Sequence, residues 1–311
     1  MNFFAQYGLF LLKSLTLVIS ILMLVAGVMT LGRKPKPKLE ITSLNEQARD
    51  MKNRMMKEIL DKKPEKIKKS KETKPSLYVL DFVGDIKASQ VEQLREEISA
   101  ILTIAKKGDE VVLRLESPGG SVNGYGLAAS QLQRLRDKHI PLTVCIDKIA
   151  ASGGYLMACV ATNIVAAPFA IIGSIGVVAQ LPNFHRWLKK NDIDVELLTA
   201  GEYKRTLTLF GENTEKGRKK FQDDLEKIHE KFREYVLTNR QQLDMDEVAT
   251  GEHWLAKDAL DLRLVDMLKT SDDYILGKMN GFNAYKIAIH AKQTFVGKLL
   301  KPAMKLLHPW G

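Results

Sequence analysis

Between Ser76 and Ala167, apolar runs of strand length alternate with longer segments of helical period, and this alternation constrains the fold more than any other feature. Leu77–Val83 reads as a strand, followed by Val91, Leu94, Ile98, Ile101, Leu102 and Ile104 at the spacing of one helix face. Val111–Leu115 is a second strand and Leu142–Ile146 a third; Val122–Lys138 between them is helical, with Leu127, Leu132 and Leu135 among its apolar positions. Asn163–Ala167 and Val195–Leu198 supply further strands. Alternation of this order gives an α/β fold with mainly parallel sheets and crossover helices. In such folds ligand groups gather where strands end and helices begin.

Two of these junctions carry small residues and a serine. Glu116-Ser117-Pro118-Gly119-Gly120-Ser121 follows the second strand, and Ala150-Ala151-Ser152-Gly153-Gly154 follows the third. Glycine lets backbone approach a ligand closely, and a helix start offers N–H donors that lack intrahelical partners. Two such donors aimed at one carbonyl make an oxyanion hole. A serine hydroxyl also needs a base, and a lysine amine serves as one only when it is neutral. Each glycine pair taken alone equally fits a tight strand–helix turn. By spacing alone, Ser152 with Lys204 is one of many possible pairings.

Four segments in order narrow the choice. They are Leu115-Glu116-Ser117-Pro118-Gly119-Gly120, Ala150-Ala151-Ser152-Gly153-Gly154-Tyr155, Ile172-Gly173-Ser174-Ile175-Gly176-Val177 and Gly201-Glu202-Tyr203-Lys204. Together they resemble the signal peptide peptidase A family of serine-lysine peptidases (family S49), over roughly residues 77–268. Thr250-Gly251-Glu252 through Leu264-Val265-Asp266 fits the closing element of that family's crotonase/ClpP-like fold. The resemblance implies Ser152 as nucleophile, Lys204 as general base and Ser174 as a hydroxyl that orients the lysine amine. It implies an oxyanion hole from the N–H of Gly119 or Gly120 together with that of Gly153, and no metal or organic cofactor. Glu116 departs from the family, where asparagine is frequent.

The resemblance also implies polypeptide substrates, such as signal peptides and membrane-associated or misfolded chains, and a homo-oligomeric ring with grooves completed across subunits. One chain nevertheless carries both Ser152 and Lys204, so a complete pair calls for no second copy. The tract Thr214–Arg240 places Phe221, Leu225, Ile228, Phe232 and Val236 on one side, suited to a ring interface or to the core. A Ser-His-Asp triad with His185 or His253 is the chemical rival. An inactive membrane scaffold or a CoA-thioester enzyme is the functional one, although no adenine-nucleotide site is recognisable.

Residues 14–31 contain no charge and follow the apolar Leu9–Leu12, broken only by Lys13. The stretch suits a single spanning helix better than a cleaved signal peptide, whose apolar core is shorter and whose start is basic. We therefore expect a transmembrane anchor over 1–32, a basic stalk over 33–75, a catalytic domain over 76–270 and a C-terminal extension over 271–311. The chain carries 47 Lys/Arg and 37 Asp/Glu, a net charge of +10, but 15 of those basic residues and only 7 acidic ones lie between Arg33 and Pro75. The rest is nearly neutral, which excludes a polyanion-binding body, and nucleic acid is not an expected partner. The basic run Asp61–Lys71 suits a solvated linker or a lipid surface, and the tail 294–307 suits the bilayer or the surface of the body. Arg33, Lys34, Lys36 and Lys38 favour a cytoplasmic body, whereas the resemblance favours the periplasmic side of a bacterial inner membrane. We expect the periplasmic side, since positive-inside counts lose authority ahead of long domains. Cys145 and Cys159 sit in apolar runs and read as buried hydrophobes.

Overall fold

The structure, a computed structural model, describes residues 3–32, 38–61 and 74–290. Most of the basic run after Asp61, and the tail 294–307, lie outside the described residues. The chain divides into two units, of which 41–288 is the body. In the other unit, α1 runs Phe3–Gly32. Its side-chain surroundings are described over 6–22, and among the described residues no helix is long and apolar enough to cross a membrane.

After β1 (Lys38–Ser43), α2 (Leu44–Leu60) starts where the Ser43 hydroxyl accepts the N–H of Glu46. The Asn45 carboxamide then ties this helix to the body, donating to the carbonyls of Met279 and Phe282 and accepting from the N–H of Ala284. The strand–helix alternation follows: β2 (Ser76–Val83), α3 (Val91–Ile104), β3 (Glu110–Glu116), α4 (Val122–Asp137) and β4 (Leu142–Ile146). Next come β5 (Ile149–Ala151), α5 (Gly153–Ala158), β6 (Asn163–Ala166) and β7 (Ile171–Gly173). The remainder is α6 (His185–Lys190), α7 (Glu215–Asn239), α8 (Met245–Val248), β8 (His253–Leu255), α9 (Ala256–Asp261), β9 (Met267–Leu268), α10 (Ser271–Lys278) and β10 (Asn283–His290).

A seven-stranded sheet runs in the order β1-β10-β2-β3-β4-β6-β9, and its registered pairs from β10 to β9 are all parallel. Every residue of β4 is buried, as parallel strands covered on both faces require. Alternate residues supply the two faces: Tyr78, Leu80, Phe82, Leu113 and Leu115 pack under α3, α4 and α5, while Leu77, Val79, Val112 and Cys145 meet Ile275 of α10 on the other side. Cys145 and Cys159 are free and buried; burial pushes the Cys145 thiol up to about 12 and raises that of Cys159 as well. A second, three-stranded sheet, β5-β7-β8, is parallel between β5 and β7 and antiparallel between β7 and β8.

One expectation changes. Val195–Leu198 forms no strand; it lies in an irregular, exposed segment between α6 and α7, with Leu198 90% exposed. Its apolar residues find no strand partner among the described residues, so the local preference goes unrealised. The C-terminal half of the apolar side of α7 serves the core, while Ile228 stays 36% exposed. Phe232 and Val236 are buried in the core, and Leu225 and Ile228 line the cleft described below.

The end of α7 is joined to the sheet by an ion pair between a buried arginine and a solvent-facing aspartate. Arg240, 3% exposed, donates through both terminal nitrogens to Asp266, at 2.7 and 2.9 Å, and to the carbonyl of Arg263 at 2.6 Å. Asp266 also accepts the N–H of Ile164 at the start of β6. Arg240→Ala removes three hydrogen bonds of a buried guanidinium, two of them to a carboxylate, and should cost about 2–3 kcal/mol. Lys231→Ala removes only the exposed pair with Glu234 and should cost less than about 0.5 kcal/mol. Denaturant melts of the two variants, compared at equal slope, measure the contrast.

Candidate active site

The two glycine-rich junctions are brought side by side by the sheet edges. β3 continues past its last residue into Ser117, whose N–H donates to the carbonyl of Ile149 at 2.8 Å and whose carbonyl accepts the N–H of Ala151 at 3.0 Å. On the other flank, the N–H of Ser152 donates to the carbonyl of Gly173 at 2.8 Å. Ser152 is therefore held from both sides at the point where β5 gives way to α5. Its backbone sits at φ 51°, ψ −118°, a sparsely populated region for a residue with a side chain. A sharp, strained strand-to-helix turn is what lifts a serine hydroxyl clear of its own sheet.

Gly119 closes over this turn. At φ +91° it has a backbone that side chains rarely adopt, and a Cβ there would stand 2.8 Å from the Ser152 Cβ and from the Ala151 carbonyl oxygen. The Gly119 N–H donates to the Ser117 hydroxyl at 3.1 Å and is thereby turned away from Ser152. The N–H groups of Gly120 and Gly153 have no acceptor among the described residues. Of the two loop donors considered from sequence, Gly120 is thus the one left available, paired with Gly153 at the start of α5.

These groups line one cleft of about 1220 Å³. Ser152, Ser174, Gly119, Gly120 and Gly153 all face it, and Ile86, Val122, Leu156, Val177, Leu225 and Phe232 give it an apolar lining. Ser174 follows β7 at φ 53°, fixed by its N–H donating to the carbonyl of Glu252 at 2.6 Å. Deep apolar clefts with a few convergent polar groups are the usual form of a binding site.

Lys204 is not among the residues of this cleft. It is exposed, in the segment between α6 and α7, where its N–H closes a turn onto the carbonyl of Gly201 at 3.1 Å. The turn is anchored to the start of α7 by Glu202 with Lys216, 2.5 Å apart, and by Lys220 over the Tyr203 ring. Within one chain, then, the structure brings together five of the six sequence-predicted site residues and leaves the lysine outside. The same segment exposes Val195, Leu197, Leu198 and Phe210.

His185 and His253, the alternative bases, also lie outside the cleft. The histidine that does line it, His229 of α7, went unnoticed in the sequence; its Nε2 lies 3.2 Å from the carbonyl of Ile175. A carbonyl only accepts, so Nε2 carries the hydrogen and donates it there. Ser117 and Tyr125 were missed as well. Nothing in the local sequence flags them, because their contact spans the turn into α4.

Comparison with known proteins follows the same lines. A family model described as peptidase family S49 matches residues 134–284, and one described as peptidase family S49 N-terminal matches residues 2–132. A probable protease SohB of Haemophilus influenzae is 50% identical, covering 96% of this chain and 92% of that protein. A probable protease SohB of Buchnera aphidicola is 49% identical, covering 89% of this chain and 100% of that protein. Among solved structures, a membrane-bound stomatin-specific protease in complex with a substrate peptide is 14% identical, with a TM-score of 0.46 over 73% of this chain and 99% of that chain.

Proposed function

Because the chain belongs to peptidase family S49, we propose that the cleft is the catalytic centre of a crotonase/ClpP-like serine peptidase in which Ser152 is the nucleophile and Lys204 the general base. The observation that carries the reading is the strained Ser152 turn with the unpaired N–H groups of Gly120 and Gly153 beside it. Ser152 Oγ attacks the scissile carbonyl and gives its proton to the neutral Lys204 amine. The oxyanion is held by the Gly120 and Gly153 N–H groups. As the C–N bond breaks, the leaving amine takes the proton from Lys204, leaving an acyl ester on Ser152. Water then attacks the ester, Lys204 takes its proton, and that proton returns to Ser152 as the acid product departs. Ser174 orients the lysine amine. A CoA-thioester or inactive reading finds no support in the site.

Lys204 reaches this chemistry from a second copy of the chain. Its exposed position, on a segment with Leu198 90% and Phe210 47% exposed, supports a homo-oligomeric ring in which one subunit's segment completes its neighbour's cleft. The apolar lining suits extended hydrophobic peptides, the character of signal peptides and of misfolded membrane-associated chains. The uncharged sequence stretch 14–31 supports an N-terminal anchor in the bacterial inner membrane, with the body in the periplasm and the lipid bilayer as a partner.

Ser152→Ala and Lys204→Ala should each lower the cleavage rate by at least about 1,000-fold, as expected when a nucleophile or base is removed. His185→Ala and His253→Ala should stay within about twofold of the unaltered protein, in line with surface substitutions. An active Lys204→Ala protein would sink the pair. Co-assembling Ser152→Ala with Lys204→Ala chains should restore activity, because some clefts then combine an intact serine with an intact lysine; no recovery would mean that each chain uses its own lysine. For the compartment, protease added to spheroplasts should digest the body, and protection until lysis would place it in the cytoplasm.

A further inference from the structure

A buried chain of hydrogen bonds underlies the junction after β3. Ser117 and Tyr125 are both fully buried. The Tyr125 phenol oxygen lies 2.9 Å from the carbonyl oxygen of Asp85 and 2.6 Å from the Ser117 hydroxyl oxygen. The Asp85 carbonyl only accepts, so the Tyr125 proton points to it. Ser117 must then donate its proton to the Tyr125 oxygen, which leaves the Ser117 oxygen to accept the N–H of Gly119. The order is fixed: Gly119 N–H to Ser117, Ser117 O–H to Tyr125, Tyr125 O–H to Asp85. Burial raises the Tyr125 phenol above its ordinary range, so it stays protonated and keeps donating.

The same tyrosine meets the other half of the site. A Cβ on Gly153 would run into the Tyr125 ring, so the ring lies directly against the backbone that follows Ser152. One side chain thus fixes the Pro118-Gly119-Gly120 loop through its hydroxyl and the start of α5 through its ring. Resting on the reading of Ser152 as nucleophile, we propose that Tyr125, acting through Ser117, is a positioning residue that holds the Gly120 and Gly153 N–H groups at the spacing one oxyanion requires. By engaging the Gly119 N–H, the chain of bonds also prevents that group from competing for the substrate carbonyl.

A tyrosine that merely filled the core would matter through its ring alone. Tyr125→Phe separates the two roles, since it keeps the ring against Gly153 and removes only the hydroxyl. Ser117→Ala interrupts the same chain one bond nearer to Gly119. Both variants are made in the full-length protein, with rates expressed per Ser152 titrated by a fluorophosphonate, so that any loss of folded protein cancels. Each should lower kcat by about 10-fold or more with KM within twofold, a smaller effect than the ~100- to 1,000-fold loss of an oxyanion donor itself. Binding of a peptide aldehyde, which forms a tetrahedral adduct, should weaken by the same factor as kcat/KM. If kcat per titrated site and aldehyde affinity stay within twofold in both variants, or if only KM moves, the positioning role is wrong. Ser152→Ala in parallel tests the underlying reading: if it still cleaves, the nucleophile assignment fails whatever the Tyr125 variants do.

Discussion

The parallel bridge between Ser117 and Ala150 is the constraint on which the site depends. Two backbone hydrogen bonds join the end of β3 to β5, and a third joins Ser152 to the end of β7. Strand edges are among the least deformable parts of a domain, because shifting one breaks a ladder of bonds at once. A residue at φ 51° is unfavourable by order 1–3 kcal/mol and persists only where its surroundings over-determine it. Here they do so on both sides. The large core beneath is what makes the bridge rigid: Leu113 and Leu115 of β3, Ile146 at the end of β4 and Tyr155 of α5 are all buried within it.

How far sequence alone foretells this depends on where each residue finds its partners. β2, β3, β4 and β6 were legible because their apolar runs are longer than chance and bounded by turns, and the helices α3, α4 and α7 because their periodicity persists for several turns. The three-residue strands β5, β7 and β8 were not, since segments so short carry no period, and their pairing comes entirely from long-range contacts. Val195–Leu198 failed in the opposite sense. It has the composition of a strand and lacks a neighbour to pair with among the described residues. At the site, the glycines and Ser152 were readable as junction residues. Which glycine keeps a free N–H was not, because that depends on a hydroxyl two residues away and a phenol eight residues away.

Ser152 and Lys204 occupy regions of opposite character. The serine sits on buried strand ends. The lysine sits on an irregular segment that leaves large apolar side chains in water, a state that soluble monomers rarely tolerate over so many residues. On the proposed reading these facts are one: the segment is built to be covered by another subunit, and the lysine is desolvated only when that happens. A lysine amine in water is protonated near neutral pH and cannot accept the serine proton. Burial against a neighbour disfavours the charged form. Assembly then supplies both the position of the base and its neutrality.

This arrangement has a protective logic for a peptidase with an apolar cleft. On the proposed reading, a single chain holds its nucleophile in a strained geometry, yet lacks the base that would make it act on passing polypeptides. The rigid half, with the Ser117–Tyr125 chain of bonds beneath it, need not change on assembly, since its donors are already fixed by the core. Only the exposed half must find its place. On that reading, pre-organising the electrostatic part of the site while leaving the proton acceptor to a partner would confine hydrolysis to the assembled enzyme, without requiring any rearrangement at Ser152 itself.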